Sequence, residues 1–341
     1  MRVLHVVSSL NVGGAERFVI DLASEQLANQ KLSVGILSMG LQGEPLETEI
    51  AKEEFRLHFA TKILEIRKIL KNYDLVHVHS SHSLLRILLA SLFTHIRVVY
   101  TRHNERVHQS LKWKCIYFLA RLKLDKMIFV AEKAQKNYLS IYPQFAKKSV
   151  TILNGVLPIS PIKSASTKLR LSHVGRFVPL KAQHYLIEAV AKLSPDMQQQ
   201  LSLSFFGTGE LMAHNQKLAT DLIPNVSVEF HGFVTDRDII YQQTDILIVT
   251  SETEGLSLAI LEALASGTPT IASNVGGNPE LVKHRHNGLL YSYADAAGLA
   301  GQINLFLEDQ SLLKEFSQRC IDTYLASFSM QQCAMTYRSH Y

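Results

Sequence analysis

Along the whole chain, short apolar runs alternate with longer stretches whose apolar residues recur every three or four positions. A run of four to six apolar residues bounded by polar ones reads as a strand covered on both faces. A period near 3.6 reads as a helix packed on a sheet. The first half predicts strands at 3–7, 33–37, 75–79, 97–100, 126–130 and 150–153, with helices at 15–29, 61–70, 84–93 and 111–122. The only linker-like stretch follows, where Pro158 and Pro161 precede the small and polar residues 163–168. Two prolines there disfavour a helix. The alternation then restarts, with strands predicted at 170–174, 201–206, 226–230, 246–249, 270–272 and 288–290. Helices are predicted at 182–193, 211–220, 238–243, 257–265, 294–307 and 312–324. Such alternation implies α/β architecture: two Rossmann-like halves, each a parallel sheet between helices, with a cleft between them.

Composition narrows this further. The 341 residues are 47% hydrophobic and 19% charged, which excludes a disordered or collagen-like chain. At roughly 150 residues per domain the length suits two domains. No apolar run approaches the ~20 residues of a membrane span, and the longest candidate, 84–93, is broken by Arg86. The first residues lack the length and cleavage site of a signal peptide and read as a buried strand. Cys115, Cys320 and Cys333 are odd in number and far apart, so neither a disulfide framework nor a zinc site is indicated, and a reducing cytoplasmic compartment is expected.

The net charge of +5 is unevenly spread. Residues 1–160 hold 22 Lys+Arg against 13 Asp+Glu, or +9; residues 161–341 hold 13 against 17, or −4. A basic front half suggests an anionic membrane or a phosphate-bearing acceptor as its partner, unless the asymmetry is ordinary scatter. No nucleic acid is expected.

The candidate chemistry sits after predicted strands. Gly13-Gly14 follows the first strand and opens a helix, where the backbone can approach an anion at the helix N-terminus; a tight turn is the plainer reading. Neither this loop nor Gly207-Thr208-Gly209 completes G-x-G-x-x-G, and no G-x-x-x-x-G-K-[S/T] loop exists, so NAD and ATP chemistry lose support. His103, within Thr101–Glu105 after another strand, suits a sugar hydroxyl or a proton transfer, unless the stretch is simply a polar loop capping a helix. Arg176 and Lys181 flank the loop after the first strand of the second half and suit a diphosphate, or else merely face solvent. The richest stretch, 251–263, places Glu254, Gly255, Leu256 and Ser257 before a helix carrying Glu262 among apolar neighbours. A carboxylate there needs a partner, either a ribose diol or a neighbouring cation. Asp236-Arg237-Asp238 matches a D-x-D metal pattern but opens a helix, so it reads as a cap.

Together these residues resemble the glycosyltransferases of family 4, which are retaining enzymes of the GT-B fold. The resemblance covers nearly the whole chain. It rests on Gly13-Gly14, Arg102-His103-Asn104, Asn154-Gly155-Val156, Val174-Gly175-Arg176-Phe177 with Lys181, Gly207-Thr208-Gly209-Glu210, the E-x7-E pair Glu254 and Glu262, and Val275-Gly276-Gly277-Asn278-Pro279-Glu280. One departure stands out: Ala182 occupies the position after the lysine where the family commonly has glycine.

The resemblance implies an acceptor-binding domain at 1–160, joined by a returning C-terminal helix at about 328–341, and a nucleotide-sugar domain at 168–327. It implies that Gly13 and Gly14 approach the donor's phosphate-sugar region and that His103 contacts the transferred sugar, at its 6-hydroxyl. Arg176 and Lys181 would hold the diphosphate. Glu254, with the amides of Gly255, Leu256 and Ser257, would hold a sugar hydroxyl, and Glu262 the ribose. The implied reaction moves a hexose-type sugar from a UDP- or GDP-linked donor to a glycan or lipid-linked acceptor of a cell-surface polysaccharide or lipopolysaccharide. It would proceed with retention, without cofactor or divalent metal. A nucleotide-sugar epimerase of the same fold and a non-catalytic nucleotide-sugar-binding protein are the competing readings. Residues 61–71 and 107–123, with Trp113 between Lys112 and Lys114, suit peripheral contact with the inner face of the cytoplasmic membrane, or simple packing on the sheet.

Overall fold

The computed structural model describes residues 1–11, 13–28, 32–50, 55–103 and 107–341. They form two compact units, Met1–Gly155 with Met330–Tyr341, and Val156–Ser329. The first unit holds β1 (Arg2–Val7), β2 (Ser33–Ser38), β3 (Arg56–Phe59), β4 (Leu75–Val78), β5 (Arg97–Arg102), β6 (Lys126–Phe129) and β7 (Ser149–Thr151), all parallel, in the order β3-β2-β1-β4-β5-β6-β7. The second holds β8 (Leu169–Val174), β9 (Leu201–Phe206), β10 (Ser227–Gly232), β11 (Ile246–Val249), β12 (Thr270–Ser273) and β13 (Gly288–Tyr291), in the order β10-β9-β8-β11-β12-β13. Central strands are buried on both faces, as the continuous apolar runs require: every residue of 3–7 and 246–249 is buried.

In each sheet the strand order reverses beside the first strand, between β1 and β4 and between β8 and β11. The loops leaving those carboxyl ends turn to opposite faces and open a crevice. The glycine loop follows β1, the Arg176–Lys181 loop follows β8 and the Glu254 loop follows β11, so the fold brings these three loops to the switch points, while His103 follows β5, one strand further along the first sheet.

The boundary lies earlier than the proline-rich stretch suggests. Val156 donates its N–H to Phe328 O at 3.0 Å and bridges to Ser329, and the Tyr324 hydroxyl donates to Val156 O at 3.2 Å. Residues 156–160 therefore belong to the second unit, not to 1–160, and the return to the first begins at Met330, not 328. Lys163 pins the linker to the second unit through Thr244 O and Thr268 Oγ1. The helix Met330–Ser339 packs on the helix Gly14–Ala28, with Phe18 and Tyr337 at 6.0 Å between ring centroids.

Candidate functional site

Glu254 and Lys181 come from loops on neighbouring parallel strands and meet directly, with Lys181 Nζ 2.5 Å from Glu254 Oε1. The buried Ser251 hydroxyl donates to the same oxygen at 2.7 Å. Lys181 is held from behind, because the Thr250 hydroxyl donates to its carbonyl at 2.7 Å and itself accepts from His173 Nε2 at 3.1 Å. Full burial drives the His173 pKa down to about 3, so this ring is neutral beneath the lysine. Arg176 lies exposed on the same loop, and its guanidinium has no partner among the described residues. Gln183 Nε2 donates to Arg176 O at 2.9 Å and fixes the loop backbone.

Two glycine pairs support these loops. A side chain at Gly207 or Gly209 would collide with the carbonyls of Gly175 and Phe177, and one at Gly276 or Gly277 with the carbonyls of Glu254 and Gly255. Gly276 also holds φ +52, in the region that penalises a Cβ. The motif pieces at 207–210 and 275–280 are thus backbone beds on which the Arg176 and Glu254 loops rest. Ala182, at the glycine position of the family pattern, takes the left-handed conformation (φ 47, ψ 42) that ends the turn Pro179–Lys181.

Glu262 sits in the helix Leu258–Ala265, whose N-cap is the buried Ser257. Its Oε1 pairs with Arg237 Nε at 2.8 Å, and Tyr241 approaches Oε2 at 3.5 Å. Arg237 supplies the cationic partner that a carboxylate in this setting requires. Arg237 escaped the sequence reading because nothing local marks a pair 25 positions apart. Asp236 caps its helix by accepting from Asp238 N at 2.9 Å, as its position suggests.

In the first unit Gly14 opens the helix Gly14–Ala28, and Arg17 N bonds to Gly13 O at 3.0 Å. One turn on, Phe18 packs against His103 with 5.3 Å between ring centroids. His103 Nε2 lies 3.1 Å from His79 Nδ1, and burial lowers its pKa to about 4. Arg102 points the other way, donating to the Tyr117 hydroxyl at 3.0 Å and lying over the Tyr138 ring at 4.7 Å, which makes it a core residue. Val12, Asn104 and Glu105 lie outside the described residues.

Comparison with known proteins identifies the family and the fold. Residues 12–158 match the family model "Glycosyltransferase Family 4" and residues 160–322 match "Glycosyl transferases group 1". A Campylobacter jejuni relative, an alpha-1,4-N-acetyl-D-galactosaminyltransferase named as acting on a diphosphoundecaprenol-linked saccharide, is 25% identical over 94% of each chain. An Escherichia coli UDP-Gal:alpha-D-GlcNAc-diphosphoundecaprenol alpha-1,3-galactosyltransferase is 28% identical over 79% of this chain and 75% of its own. The crystal structure of Anabaena HepE in complex with UDP and glucose superimposes with a TM-score of 0.87 at 22% identity, over 99% of this chain and 98% of that one. With both halves matched in order and two doubly wound parallel sheets in place, the chain belongs to the family 4 glycosyltransferases and has the GT-B fold.

Proposed function

We propose that the chain transfers a hexose-type sugar, with retention, from a UDP-linked donor to a lipid-linked saccharide in cell-surface polysaccharide or lipopolysaccharide assembly. GDP-linked donors are the alternative the assay must include. The observation that carries the reading is the Lys181–Glu254 pair beside exposed Arg176 at the switch point of the second sheet. The names of the C. jejuni and E. coli relatives support a lipid diphosphate acceptor, and the E. coli name supports uridine as the base.

The leaving group is a nucleoside diphosphate whose charge grows as the anomeric bond breaks. Arg176 offers a planar fork and Lys181 a compact charge for its oxygens. These cations do the work a divalent metal does elsewhere, so transfer proceeds in chelator. Glu254 keeps Oε2 for a sugar hydroxyl while Oε1 orients the lysine. Glu262, held by Arg237, takes the ribose hydroxyls. His103 contacts the transferred sugar. The leaving phosphate oxygen accepts the acceptor hydroxyl's proton on the face it departs from, which gives retention without a protein nucleophile. A trapped covalent adduct on Glu254 would refute that step.

The first unit also carries a surface suited to an anionic bilayer. On the helix Leu111–Lys123, Leu111, Cys115, Phe118 and Leu122 fall on one exposed stripe at helical spacing, with Lys112, Lys114 and Arg121 flanking it. Trp113 is not part of this stripe; it stacks on His108 at 4.4 Å and packs against the core. Flotation with phosphatidylglycerol vesicles, lost in Phe118→Glu/Leu122→Glu, is the expected result, and a protein that stays in the soluble fraction removes this part of the reading.

The deciding experiment measures release of UDP or GDP from a panel of nucleotide sugars in EDTA, with and without a membrane-lipid extract, beside Glu254→Ala and Arg176→Ala. Release from one donor, stimulated by the extract and lost in both variants, is expected. Release that depends on added metal, or that persists in both variants, overturns the assignment of these residues.

A further inference from the structure

Four histidines of the first unit are linked through one hydrogen-bonded line. His103 Nε2 is 3.1 Å from His79 Nδ1, His79 Nε2 is 2.9 Å from His5 Nδ1, and His5 Nε2 is 2.9 Å from Gln26 Oε1. Gln26 Nε2 donates to the Tyr341 hydroxyl at 3.1 Å, which stands 2.7 Å from His77 Nδ1, and His77 Nε2 is 2.7 Å from Thr101 Oγ1. His5, Gln26, His77 and His79 are buried. Desolvation holds His77 and His79 well below the ordinary histidine range and His5 down to about 4, so each ring carries one proton at neutral pH.

A neutral imidazole donates from one nitrogen and accepts at the other. The line therefore has a direction, set by the Gln26 amide, which turns Oε1 to His5 and Nε2 to the Tyr341 hydroxyl. Gln26 Oε1 only accepts, so His5 carries its proton on Nε2 and accepts at Nδ1. His79 must then donate from Nε2 and accept at Nδ1, and His103 must donate from Nε2. The remaining nitrogen of His103, Nδ1, has no partner among the described residues and bears a lone pair.

We propose that Gln26, acting through His5 and His79, holds His103 as the Nε2–H tautomer and so leaves Nδ1 as a hydrogen-bond acceptor. Gln26, His5 and His79 are positioning residues for His103. This rests on the sugar-contact role given to His103 above for its consequence: an acceptor nitrogen takes a sugar hydroxyl and disfavours a carboxylate, so a hexose is preferred to a hexuronate at that position. One ligand atom from each of His5, His77 and His79 also lies within 4.8 Å of the others, a grouping that a metal ion would accept. Every nitrogen of these three rings already has a partner, so an ion would have to break several of the bonds described.

The test is 15N NMR of the imidazoles in the full chain at pH 7 without ligand, with His103 assigned by the signals lost in His103→Gln. Unprotonated Nδ1 and protonated Nε2 are expected. In Gln26→Leu, His103 should become a mixture of tautomers, whereas Gln26→Glu, whose carboxylate still accepts from His5 Nε2, should keep the single form. If Gln26→Leu does not fold, His79→Gln is the second break, since its amide can present either a donor or an acceptor to His103. A wild-type His103 protonated on Nδ1 or on both nitrogens overturns the proposal. So does a single unchanged tautomer in a folded break variant, or stoichiometric Zn(II) binding that moves the His5, His77 and His79 signals together. If the tautomer behaves as stated but no nucleotide sugar is turned over, the sugar-contact reading falls and the relay stands.

Discussion

At the scale of single residues, the site depends on backbone fit as much as on charge. Gly276 is the clearest case. An alanine there pays a left-handed φ cost of about 1–2 kcal/mol and also collides with Glu254 O, so the Glu254 loop must move. A displacement near 1 Å at a positioning group costs about 100-fold in rate. Gly276→Ala is therefore expected to lose about 100-fold in kcat/KM for donor turnover while remaining folded by circular dichroism, and near-normal turnover would mean the loop tolerates the shift. Ala182 tests the opposite balance. Replacing it with glycine relieves about 1–2 kcal/mol of left-handed strain but removes a buried methyl worth about 0.8 kcal/mol and adds about 0.5–1 kcal/mol of unfolded-chain entropy. Those terms nearly cancel, so Ala182→Gly should change stability by less than about 1 kcal/mol. Ala182→Val, with a branched Cβ at positive φ and no space, should lose about 2 kcal/mol or more by urea denaturation.

At the scale of elements, most of the fold was legible because the sheets are parallel and doubly covered. Twelve of the thirteen strands among the described residues announce themselves as short apolar runs, and the D-x-D cap could be read from its place before a helix. The exception, β3 (Arg56–Phe59), is an edge strand of sequence R-L-H-F without a buried face, so no apolar pattern marks it. The helix Glu132–Ile141 was missed for a related reason: it buries little besides Ala134 and Tyr138. The helix expected at 84–93 runs Ser81–Ala90, because the Ser80 hydroxyl caps it at His82 N and Phe93 turns to φ 58, fully exposed. Contacts between distant elements left no local trace, and Arg237 with Glu262 is the main example. The pair ties the helix Arg237–Gln242 to the helix Leu258–Ala265, and each side chain is only 11% exposed. Removing one member of such a pair strands the other charge at about 3–5 kcal/mol, whereas removing both is far cheaper. Arg237→Met should thus destabilise the chain by about 3 kcal/mol, and Arg237→Met/Glu262→Gln should recover most of it. Simple additivity in a double-mutant cycle would mean that Glu262 has other partners sufficient to hold it.

At the scale of the molecule, the buried histidines are unevenly divided, and that sets the response to acid. The first unit holds buried His5, His77 and His79 and partly buried His103, each with a pKa lowered by desolvation; the second buries His173. A ring with a folded pKa below its unfolded value near 6.5 is neutral when folded and takes up a proton on unfolding. The unfolded chain then binds more protons between about pH 6.5 and the folded value, about 4 for His5 and His103, so stability falls as pH falls through that window. Each such ring contributes a slope approaching 1.4 kcal/mol per pH unit, so the first unit should lose several kcal/mol between pH 6.5 and 5. Trp113 is the single tryptophan and lies in the first unit, so its fluorescence follows that unit while far-ultraviolet circular dichroism follows both. On lowering the pH from 7 to 5, the urea midpoint read from Trp113 should fall by more than the midpoint of the remaining dichroism signal, and the two curves should separate. Curves that coincide and shift together at both pH values would mean that the histidine line does not control the acid stability of the first unit.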